Sequence, residues 1–346
     1  MMIAATIFVM LPIAVEILES VGIQKEDKAP IAVALMLGTL VTGLISNSAN
    51  PISHATTLQG FSFYESFTGE AMDFFTYCAI AFPISIVCVV LFVLMVKFVW
   101  RPDVSALKNV NYDAMTSSMG TMTKKEKWSV FFYIVCVLLW MLPGLSKYIW
   151  PGAAAFFGKI NNCLPPLAAL FLMNFIKVDG EKILDWGEAV KSVNWPSFMF
   201  IASIMGLGSF MGNADIGIPA WMSSVLSPIF SNVSPFVFLA VMVLLADLMT
   251  NFTSNTVTAS VMLAVALPLA MGIYGGRISV FVVAALVTSA ANNGWTAPPA
   301  SPTAAVVYGS EWVDTKSMMK WGLLTALIHV IVTMSFGYLL GTAICG

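Results

Sequence analysis

Residues 236–273 read FVFLAVMVLLADLM, then TNFTSNTVT, then ASVMLAVALPLAMGI. The two outer runs are almost entirely apolar, whereas the middle segment carries hydroxyl and amide side chains. A bilayer core of about 30 Å is crossed by ~20 helical residues, so a single helix over this range is too long. The pattern therefore predicts a re-entrant hairpin with one arm at 236–250, a polar tip, and a second arm at 258–273.

The composition of the whole chain fits a membrane protein. Its 346 residues are 59% hydrophobic and 10% charged, with a net charge of −2, and the mean hydropathy is +0.88. A soluble domain keeps a more charged surface. The basic residues form no cluster that a nucleic acid could bind, and the five cysteines are scattered without a C-x-x-C pair. We predict an all-α polytopic membrane protein that contacts lipid and binds no nucleic acid.

Positive charge in the loops predicts the orientation of the chain. Arg101, Lys108 and Lys124–Lys127 lie between two apolar helices, which marks their loop as cytoplasmic. Counting crossings backward places Glu26–Lys28 on the same side. Counting crossings forward places the C-terminus outside.

A second irregular stretch, AANNGWTAPPASPTA, covers residues 290–304. Pro298, Pro299 and Pro302 cannot continue a helix, because each removes a backbone donor and clashes with the preceding turn. Charge-poor segments flank the stretch on both sides. Irregular backbone at membrane depth is tolerated only where protein or a water-filled cavity satisfies its polar groups. The sequence therefore predicts a broken helix over 277–313 that lines a site.

Both features recur near the N-terminus. ATIFVMLPIA at 5–14 parallels VTASVMLAVALPLA at 257–270, and GLISNSANPISHA at 43–55 parallels GWTAPPASPTAAV at 294–306. The offset is 252 residues for the first pair and 251 for the second. Because the loop charges give the two copies opposite orientations, we predict an inverted-topology repeat, in which paired broken helices form a binding site near the midplane.

The repeat divides the chain into three parts. Residues 1–100 form an incomplete first repeat, with a hairpin arm, a broken helix at 29–68 and a helix at 70–99. Residues 101–127 form a cytoplasmic linker, and 128–346 form the second repeat. The second repeat is expected to contain scaffold helices within 128–176, a helix at 195–212, the hairpin at 236–273, the broken helix at 277–313 and a last helix at 317–342.

Four stretches carry a family resemblance: TNFTSNTVTASVMLAVALPLA at 250–270, EKILDWGEAVKSVNWPSFMFIASIMGLGSFMGNADIGIPAWMSSVL at 181–226, SPTAAVVYGSEWVDTKSMMKWGLL at 301–324, and TMTKKEKWSVFFYIVCVLLWML at 121–142. The chain resembles the divalent-anion/sodium symporter family, the di- and tricarboxylate carriers with Ser-Asn-Thr hairpins. The resemblance implies a homodimeric elevator-type secondary transporter in the cell (inner) membrane. It also implies that small di- or tricarboxylate anions move together with Na⁺.

The chain departs from the family in two places. Met2–Ala4 stand where the first Ser-Asn-Thr would fall, and members normally carry further helices upstream, so we expect an N-terminal truncation or a misassigned start. The usual Thr-Pro-Pro-Asn of the breaks is Ser301-Pro302-Thr303-Ala304 in the second half and Asn50-Pro51-Ile52-Ser53 in the first. These changes bear on the identity of the substrate and on the first ion site.

The resemblance also implies the site residues. The sodium ligands would be the Thr250 hydroxyl, the Thr253 carbonyl, Asn255 and the Ala300 carbonyl. The residues facing the substrate would be Ser254, Asn255 and Thr256 at the tip, with Ser301 and Pro302 opposite. At the first break, Asn50 and Pro51 would face the substrate and Ala49 would serve a second sodium.

The chemistry of these residue types supports an anion site without a basic side chain. The nearest candidates, Lys97 and Arg277, sit at the ends of predicted helices. Amide and hydroxyl groups, with backbone N–H groups at half-helix N-termini, would hold the anion. A bound Na⁺ would supply the positive charge, since hard cations take oxygen ligands and unwound carbonyls provide them.

Three titratable side chains leave alternatives open. An ionised Asp at the membrane centre costs ~2.5–3.5 kcal/mol on insertion scales. Asp247 is therefore either a proton or cation group facing the cavity, or a shallower residue paired with a helix end. His54 could touch substrate or be a hydrogen-bonded structural histidine. His329 on the last helix is interpreted as a packing residue.

Other functions are compatible with parts of the sequence. Within the same fold, the chain could be a sodium-independent anion exchanger, or a carrier of sulfate or another oxyanion. It could also be a non-transporting fragment that is unable to close a site. An intramembrane enzyme is not expected, since the chain contains no H-E-x-x-H or G-x-G-D motif.

Overall fold

The computed structural model describes residues 2–51, 53–109, 121–157, 163–193 and 213–346, together with 195, 198, 199, 202, 203, 206 and 210. The described chain is helical almost throughout. Five of its helices are long and apolar enough to cross a membrane: Pro30–Ser48, Phe74–Trp100, Lys124–Lys147, Asn255–Gly272 and Thr315–Cys345. The predicted all-α, multi-pass membrane fold is therefore confirmed. Most of the predicted helix at 195–212 lies outside the described residues.

The N-terminal half, as we call residues 2–100, is built from four helices. They are α1 Met2–Ser20, α2 Pro30–Ser48, α3 Ala55–Thr68 and α4 Phe74–Met95, which continues as the π-helical turn Val96–Trp100. The interruption between α2 and α3 contains Pro51. After it, His54 caps α3 by accepting a hydrogen bond on Nδ1 from the Thr56 backbone N–H at 3.2 Å.

The chain separates into two compact units. The first unit contains residues 1–72, 77–110 and 203–346, and the second contains 73–76 and 111–202. The second unit holds α5 Lys124–Ile149, α6 Pro151–Phe157, α7 Leu164–Phe175, a two-stranded hairpin of Lys177–Val178 and Glu181–Lys182, and α8 Trp186–Lys191. Thr123 and Glu126 form a capping box at the start of α5, so this helix begins in the polar loop.

The C-terminal half, as we call residues 213–346, contains seven helices among the residues described. They are α9 Ile218–Phe230, α10 Pro235–Thr250, α11 Asn255–Gly272, α12 Val280–Ala291, α13 Pro302–Gly309, α14 Thr315–Val332 and α15 Tyr338–Cys345. The end of α9 and α10 meet at an angle of 111°. A 3-10 turn, Pro298–Ala300, precedes α13, and a π-helical turn, Thr333–Gly337, joins α14 to α15.

The order of elements repeats between the two halves. In each half, a helix (α1 or α11) is followed by a buried helix (α2 or α12), a proline-containing break, a shorter helix (α3 or α13) and a long helix. The helix that follows each break packs on the other half: α3 contacts α11 and α12, whereas α13 contacts α1 and α2. The two breaks are therefore each supported by elements of both halves.

Two contacts join segments that the loop charges predict to be cytoplasmic. Lys25, which follows α1, forms an ion pair of 2.6 Å with Glu311, which follows α13. The hydrogen bond from Lys25 lowers the pKa of the Glu311 carboxyl. Trp100 at the end of α4 stacks on Trp321 in α14, with ring centroids 4.3 Å apart. Both contacts bring together segments that the predicted orientation places on the same side of the membrane.

Close packing fixes the second break against α14. The Trp295 indole is fully buried, and its Nε1 donates to the Gly322 carbonyl at 3.0 Å. A Cβ on Gly322 would lie 2.9 Å from the Thr296 Cα. Only glycine lets α14 approach the backbone of the break this closely.

Substituting Gly322 tests this approach. We expect Gly322→Ala to lower the free energy of unfolding by about 1–3 kcal/mol, because the added methyl must displace backbone rather than a flexible side chain. The melting temperature of the detergent-solubilised protein measures the effect. Gly309→Ala is the matched control, since a Cβ there meets no atom within 4 Å. Equal melting temperatures for the two variants would contradict the packing described.

Candidate functional site

The polar tip between α10 and α11 is partly buried. Thr250, Asn251 and Asn255 are buried, whereas Thr253 and Ser254 are exposed and Thr256 is half-buried. Ser254 is the N-cap residue of α11 without a capping bond from its side chain. The first backbone N–H groups of α11 therefore lie beside the predicted substrate residues.

Oxygen atoms converge where the tip meets the second break. The Thr250 hydroxyl lies 2.6 Å from Asn255 Oδ1 and 2.6 Å from the Ala291 carbonyl oxygen. A hydroxyl has one proton to donate, so only one of these contacts is a hydrogen bond at any moment. A Cβ on Gly294 would meet both Asn255 Oδ1 and the Ala300 carbonyl oxygen. We call these four oxygens, from Thr250, Asn255, Ala291 and Ala300, the oxygen cluster.

The cluster brings together three of the four predicted sodium ligands. Thr250, Asn255 and Ala300 contribute to it, and Gly294 leaves the space between them. Thr253, the fourth, donates its hydroxyl to the Met249 carbonyl at 2.9 Å. Among the described residues, no three His, Cys, Asp or Glu side chains come together as a metal site. An environment of neutral oxygens with few protons suits a hard monovalent cation.

Asn251 ties the break to the hairpin. Its Oδ1 accepts hydrogen bonds from the backbone N–H groups of Trp295 at 3.1 Å and Thr296 at 3.0 Å. Its Nδ2 donates to the Asp247 carbonyl at 2.6 Å. One side-chain amide thus satisfies two backbone donors of a segment that has no helical partner for them.

Ser301 closes the break from the other end. Its hydroxyl lies 2.8 Å from the Gly294 carbonyl and accepts a hydrogen bond from the Ala304 N–H at 3.1 Å, which caps α13. Pro302 follows as the first residue of that helix and is exposed. The Ser301 hydroxyl is therefore used within the break, while Pro302 remains available at the surface.

Elements of the N-terminal half complete the walls of this region. Asn292 donates from Nδ2 to the Thr57 hydroxyl at 2.9 Å, and Gln59 donates from Nε2 to the Thr256 carbonyl at 3.2 Å. Four buried side-chain oxygens of α3 and α12 and its C-cap have no hydrogen-bond partner in the structure: Thr56 Oγ1, Gln59 Oε1, Thr288 Oγ1 and Asn292 Oδ1. Buried oxygens of this kind are normally paired.

The predicted residues of the first break lie beside a separate cavity. Asn50 Oδ1 accepts from the Ser53 backbone N–H at 3.1 Å and from the Ser53 hydroxyl at 2.9 Å, and Ala49 and Pro51 are buried next to it. The cavity measures about 740 Å³ and is lined by α1, α2 and α4. One face of α2 lines it with Thr39, Thr42 and Ser46, and Asn50 lines it from the break that follows.

Asp247 belongs to a buried polar cluster behind the hairpin. It is 1% exposed, and its Oδ1 accepts from Asn293 Nδ2 at 3.1 Å and lies 3.5 Å from His329 Nδ1. Asp247 is thus paired with side chains inside the protein and not with a helix end. His329 is buried against Trp295, as expected of a packing residue, and its ring also hydrogen-bonds on both nitrogens, to Asn293 and Thr333.

The sequence of the chain was compared with known families. The family model described as the sodium:sulfate symporter transmembrane region matches residues 2–345. The chain belongs to the sodium:sulfate symporter family. The predicted resemblance to sodium-coupled divalent-anion symporters is thereby confirmed, and the multi-pass membrane location follows from the family and the helices together.

Similar proteins carry transporter names. The sodium-dependent dicarboxylate transporter SdcS of Staphylococcus saprophyticus is 24% identical over 99% of this chain and 66% of that protein. SdcS of Staphylococcus aureus strain MRSA252 is 22% identical over 99% of this chain and 66% of that protein. An uncharacterized transporter of Methanocaldococcus jannaschii is 23% identical over 96% of this chain and 68% of that protein. This member of the sodium:sulfate symporter family thus spans about two thirds of the length of these relatives.

Sequence reasoning missed the amides that hold the candidate site together. Asn251, Asn292 and Asn293 were not among the predicted site residues, yet all three are fully buried and hydrogen-bonded across elements. Their residue type could have identified them, because an amide side chain inside an apolar membrane segment requires hydrogen-bond partners. Their partners could not be read from the sequence, because these contacts join residues between 44 and 235 positions apart.

Removing the Asn251 amide tests its bridging role. We expect Asn251→Ala to lower the melting temperature strongly, because each buried N–H left without an acceptor costs about 1–3 kcal/mol. Thermal unfolding in detergent measures the loss. Asn174→Ala is the matched control, since Asn174 accepts only an exposed hydrogen bond from Lys182 among the bonds described. A variant at 251 as stable as the one at 174 would exclude the bridging role.

Proposed function

We propose that this chain is the membrane body of a secondary active transporter that moves small di- or tricarboxylate anions together with sodium. The observation that carries the proposal is the oxygen cluster. In it, the Thr250 hydroxyl and the Asn255 amide meet two carbonyls from the ends of helical segments, beside a helix N-terminus. The chain acts as a carrier and not as an enzyme. The names of its relatives support sodium and dicarboxylates.

The sodium would be held by Thr250, Asn255 and Ala300, with the Thr253 carbonyl as a further ligand. Ala291 ends α12 and Ala300 ends the 3-10 turn, so their carbonyls point away from any continuing helix. Such unwound carbonyls coordinate Na⁺ in transporters with broken helices. A bound sodium ion would offset the electrostatic repulsion among the four oxygens.

The anion would bind without a basic residue. No lysine or arginine is buried among the residues that the structure describes. Ser254, Asn255 and Thr256 open α11, and Ser301 and Pro302 open α13, so two helix N-termini face the proposed anion with positive dipole ends. Neutral donors plus a co-bound cation hold a carboxylate firmly enough to bind and loosely enough to release it.

The division of the chain into two units supports an elevator-type transport cycle. The hairpin and both breaks belong to the first compact unit, and the helices of 111–202 belong to the second. In an elevator mechanism, the first unit would move as the transport domain and the second would be the scaffold of a homodimer in the cell membrane. Asn50 and Pro51 would contribute to the substrate side from the first break, with Ala49 at a second sodium.

One alternative retains the fold and changes the cargo. The family description names sulfate, whereas the named relatives are dicarboxylate transporters. A carrier of sulfate or another oxyanion, or an exchanger that runs without sodium, would use the same helix N-termini. The oxygen cluster favours the sodium-coupled carrier, because an exchanger has no need of a cation site.

Uptake into proteoliposomes tests the proposal. We expect labelled succinate uptake to require an inward sodium gradient and to fall at least tenfold, the equivalent of about 1.4 kcal/mol, in Asn255→Ala. Asn174→Ala should transport as the parent does. Labelled sulfate is measured in parallel.

Ligand-induced stabilisation separates binding from transport. Because a ligand that binds only the folded state raises its stability, sodium should raise the melting temperature of the parent chain and of Asn174→Ala but not of Asn255→Ala. Uptake that persists after choline replaces sodium would exclude sodium coupling. A chain that neither transports nor gains stability from sodium with succinate would support the non-transporting alternative.

A further inference from the structure

Three polar side chains meet behind the hairpin and are not used by the proposed anion and sodium sites. They come from three elements: Asp247 from α10, Asn293 from the second break and His329 from α14. All three are at most 2% exposed. Asp247 is the only buried carboxylate among the residues that the structure describes.

The hydrogen bonds of this cluster define one tautomer of the His329 ring. Asn293 Nδ2 lies 3.1 Å from Asp247 Oδ1 and 2.7 Å from His329 Nδ1. An amide nitrogen carries two protons and accepts none, so His329 Nδ1 must be the acceptor and carry no proton. The His329 proton is then on Nε2, which lies 3.3 Å from the Thr333 hydroxyl. The contacts therefore fix the proton position on the His329 ring, whereas the Asn293 N–H can donate to Asp247 Oδ1 whether the carboxyl is ionised or protonated.

With Asp247 ionised, the cluster carries one uncompensated negative charge. Asn293 Oδ1 is buried and has no hydrogen-bond partner in the structure. The carboxylate receives one amide N–H, and the imidazole beside it has an unprotonated nitrogen 3.5 Å away. A single added proton, forming an O–H bond on Asp247 or an N–H bond on His329, makes the cluster neutral.

Few other titratable groups face the cluster. Cys88 on α4 faces Asp247, and Tyr338 meets α10 at its far end through Phe236. The helices α11 and α12, the break at 292–301 and the π-helical turn carry no titratable side chain. His329 is the one titratable residue of α14 that reaches Asp247 among the described contacts. The charge of the cluster therefore depends on the Asp247–His329 pair itself.

The cluster is linked to the oxygen cluster through the backbone of the break. Asn293 immediately precedes Gly294, against which Asn255 Oδ1 and the Ala300 carbonyl lie. Asn251 joins the Asp247 carbonyl to the N–H groups of Trp295 and Thr296. A cation between the oxygens would be connected to the buried carboxylate through Asn251 and the break, in surroundings where charges are poorly screened.

We propose that the Asp247–Asn293–His329 cluster is a proton-binding site, and that a proton there and a cation at the oxygen cluster oppose each other. Two positive charges close together in a low-dielectric site disfavour each other. Cation binding therefore releases the proton, and by reciprocity acid weakens cation binding. The proton site stands on its own geometry, while its link to sodium rests on the proposed function.

Infrared difference spectroscopy of the purified protein detects the proton directly. Between acidic and alkaline pH, we expect the carbonyl stretch of a protonated, buried carboxylic acid to appear in the parent chain and to be absent in Asp247→Asn. Asp314→Asn is the matched control, because Asp314 caps α14 at the surface and asparagine caps equally well. The same buried-acid band in Asp247→Asn as in the parent would overturn the proton site, and so would its absence from the parent at every pH at which the protein is folded.

A second pair of variants covers the case in which Asp247→Asn does not fold. His329→Asn removes the imidazole of the pair, and His54→Asn removes the capping histidine outside it. We expect His329→Asn to shift the pH midpoint of the carboxyl band by at least one unit, and His54→Asn to leave it unchanged. An unshifted midpoint in His329→Asn would exclude a shared proton.

Proton release tests the link to sodium. In weak buffer near the midpoint of the band, sodium chloride should release up to about one proton per parent chain, and choline chloride should release none. Asp247→Asn should release none with either salt. Sodium that stabilises the protein without releasing protons would overturn the opposition. If sodium neither stabilises the protein nor releases protons, the proposed function fails, while the infrared band still decides the proton site.

Discussion

Backbone polar groups inside a bilayer must find partners within the protein, and this constraint shapes the site. The chain breaks its helices twice in the C-terminal half, once at the hairpin tip and once at Asn292–Ser301. Each interruption frees N–H and carbonyl groups that no helix satisfies. The structure places the two interruptions against each other, and the Asn251 amide accepts from Trp295 and Thr296. These two donors are satisfied, and carbonyl oxygens of the same segments form part of the proposed sodium site.

The two halves of the chain depend on each other for the same reason. The helix after each break packs on the opposite half, and the Asn292–Thr57 hydrogen bond crosses between them. A half by itself would expose its break to lipid at a cost of several kcal/mol for each unsatisfied group. Each half therefore packs a helix against the other half and shields the break there from lipid. Gly294 and Gly322 let neighbouring segments approach the backbone at these positions more closely than any larger residue would permit.

The sequence was sufficient for those features that arise from local chemistry. Apolar length gives membrane helices, Pro298–Pro302 force a break, and the Thr250–Thr258 segment interrupts an apolar run. The observed arms, 235–250 and 255–272, lie close to the expected ones. The hydrogen-bond partners of the buried polar side chains, in contrast, are distant in the sequence and could not be predicted from it. Asp247 could be recognised as exceptional, but its contact with His329 spans 82 residues, and only the packing of α14 on α10 reveals it.

Amide hydrogen exchange at the second break tests the central claim that Asn251 satisfies its backbone. The Trp295 N–H also lies 3.1 Å from the Asn293 carbonyl, whereas the acceptor of the Thr296 N–H among the described bonds is Asn251 Oδ1. The account predicts slow exchange at Thr296 in the parent chain and rapid exchange there in Asn251→Ala, with Trp295 less affected and the middle of α12 protected in each. Rapid exchange at Thr296 in the parent, or equal protection of Thr296 in the variant, would contradict it.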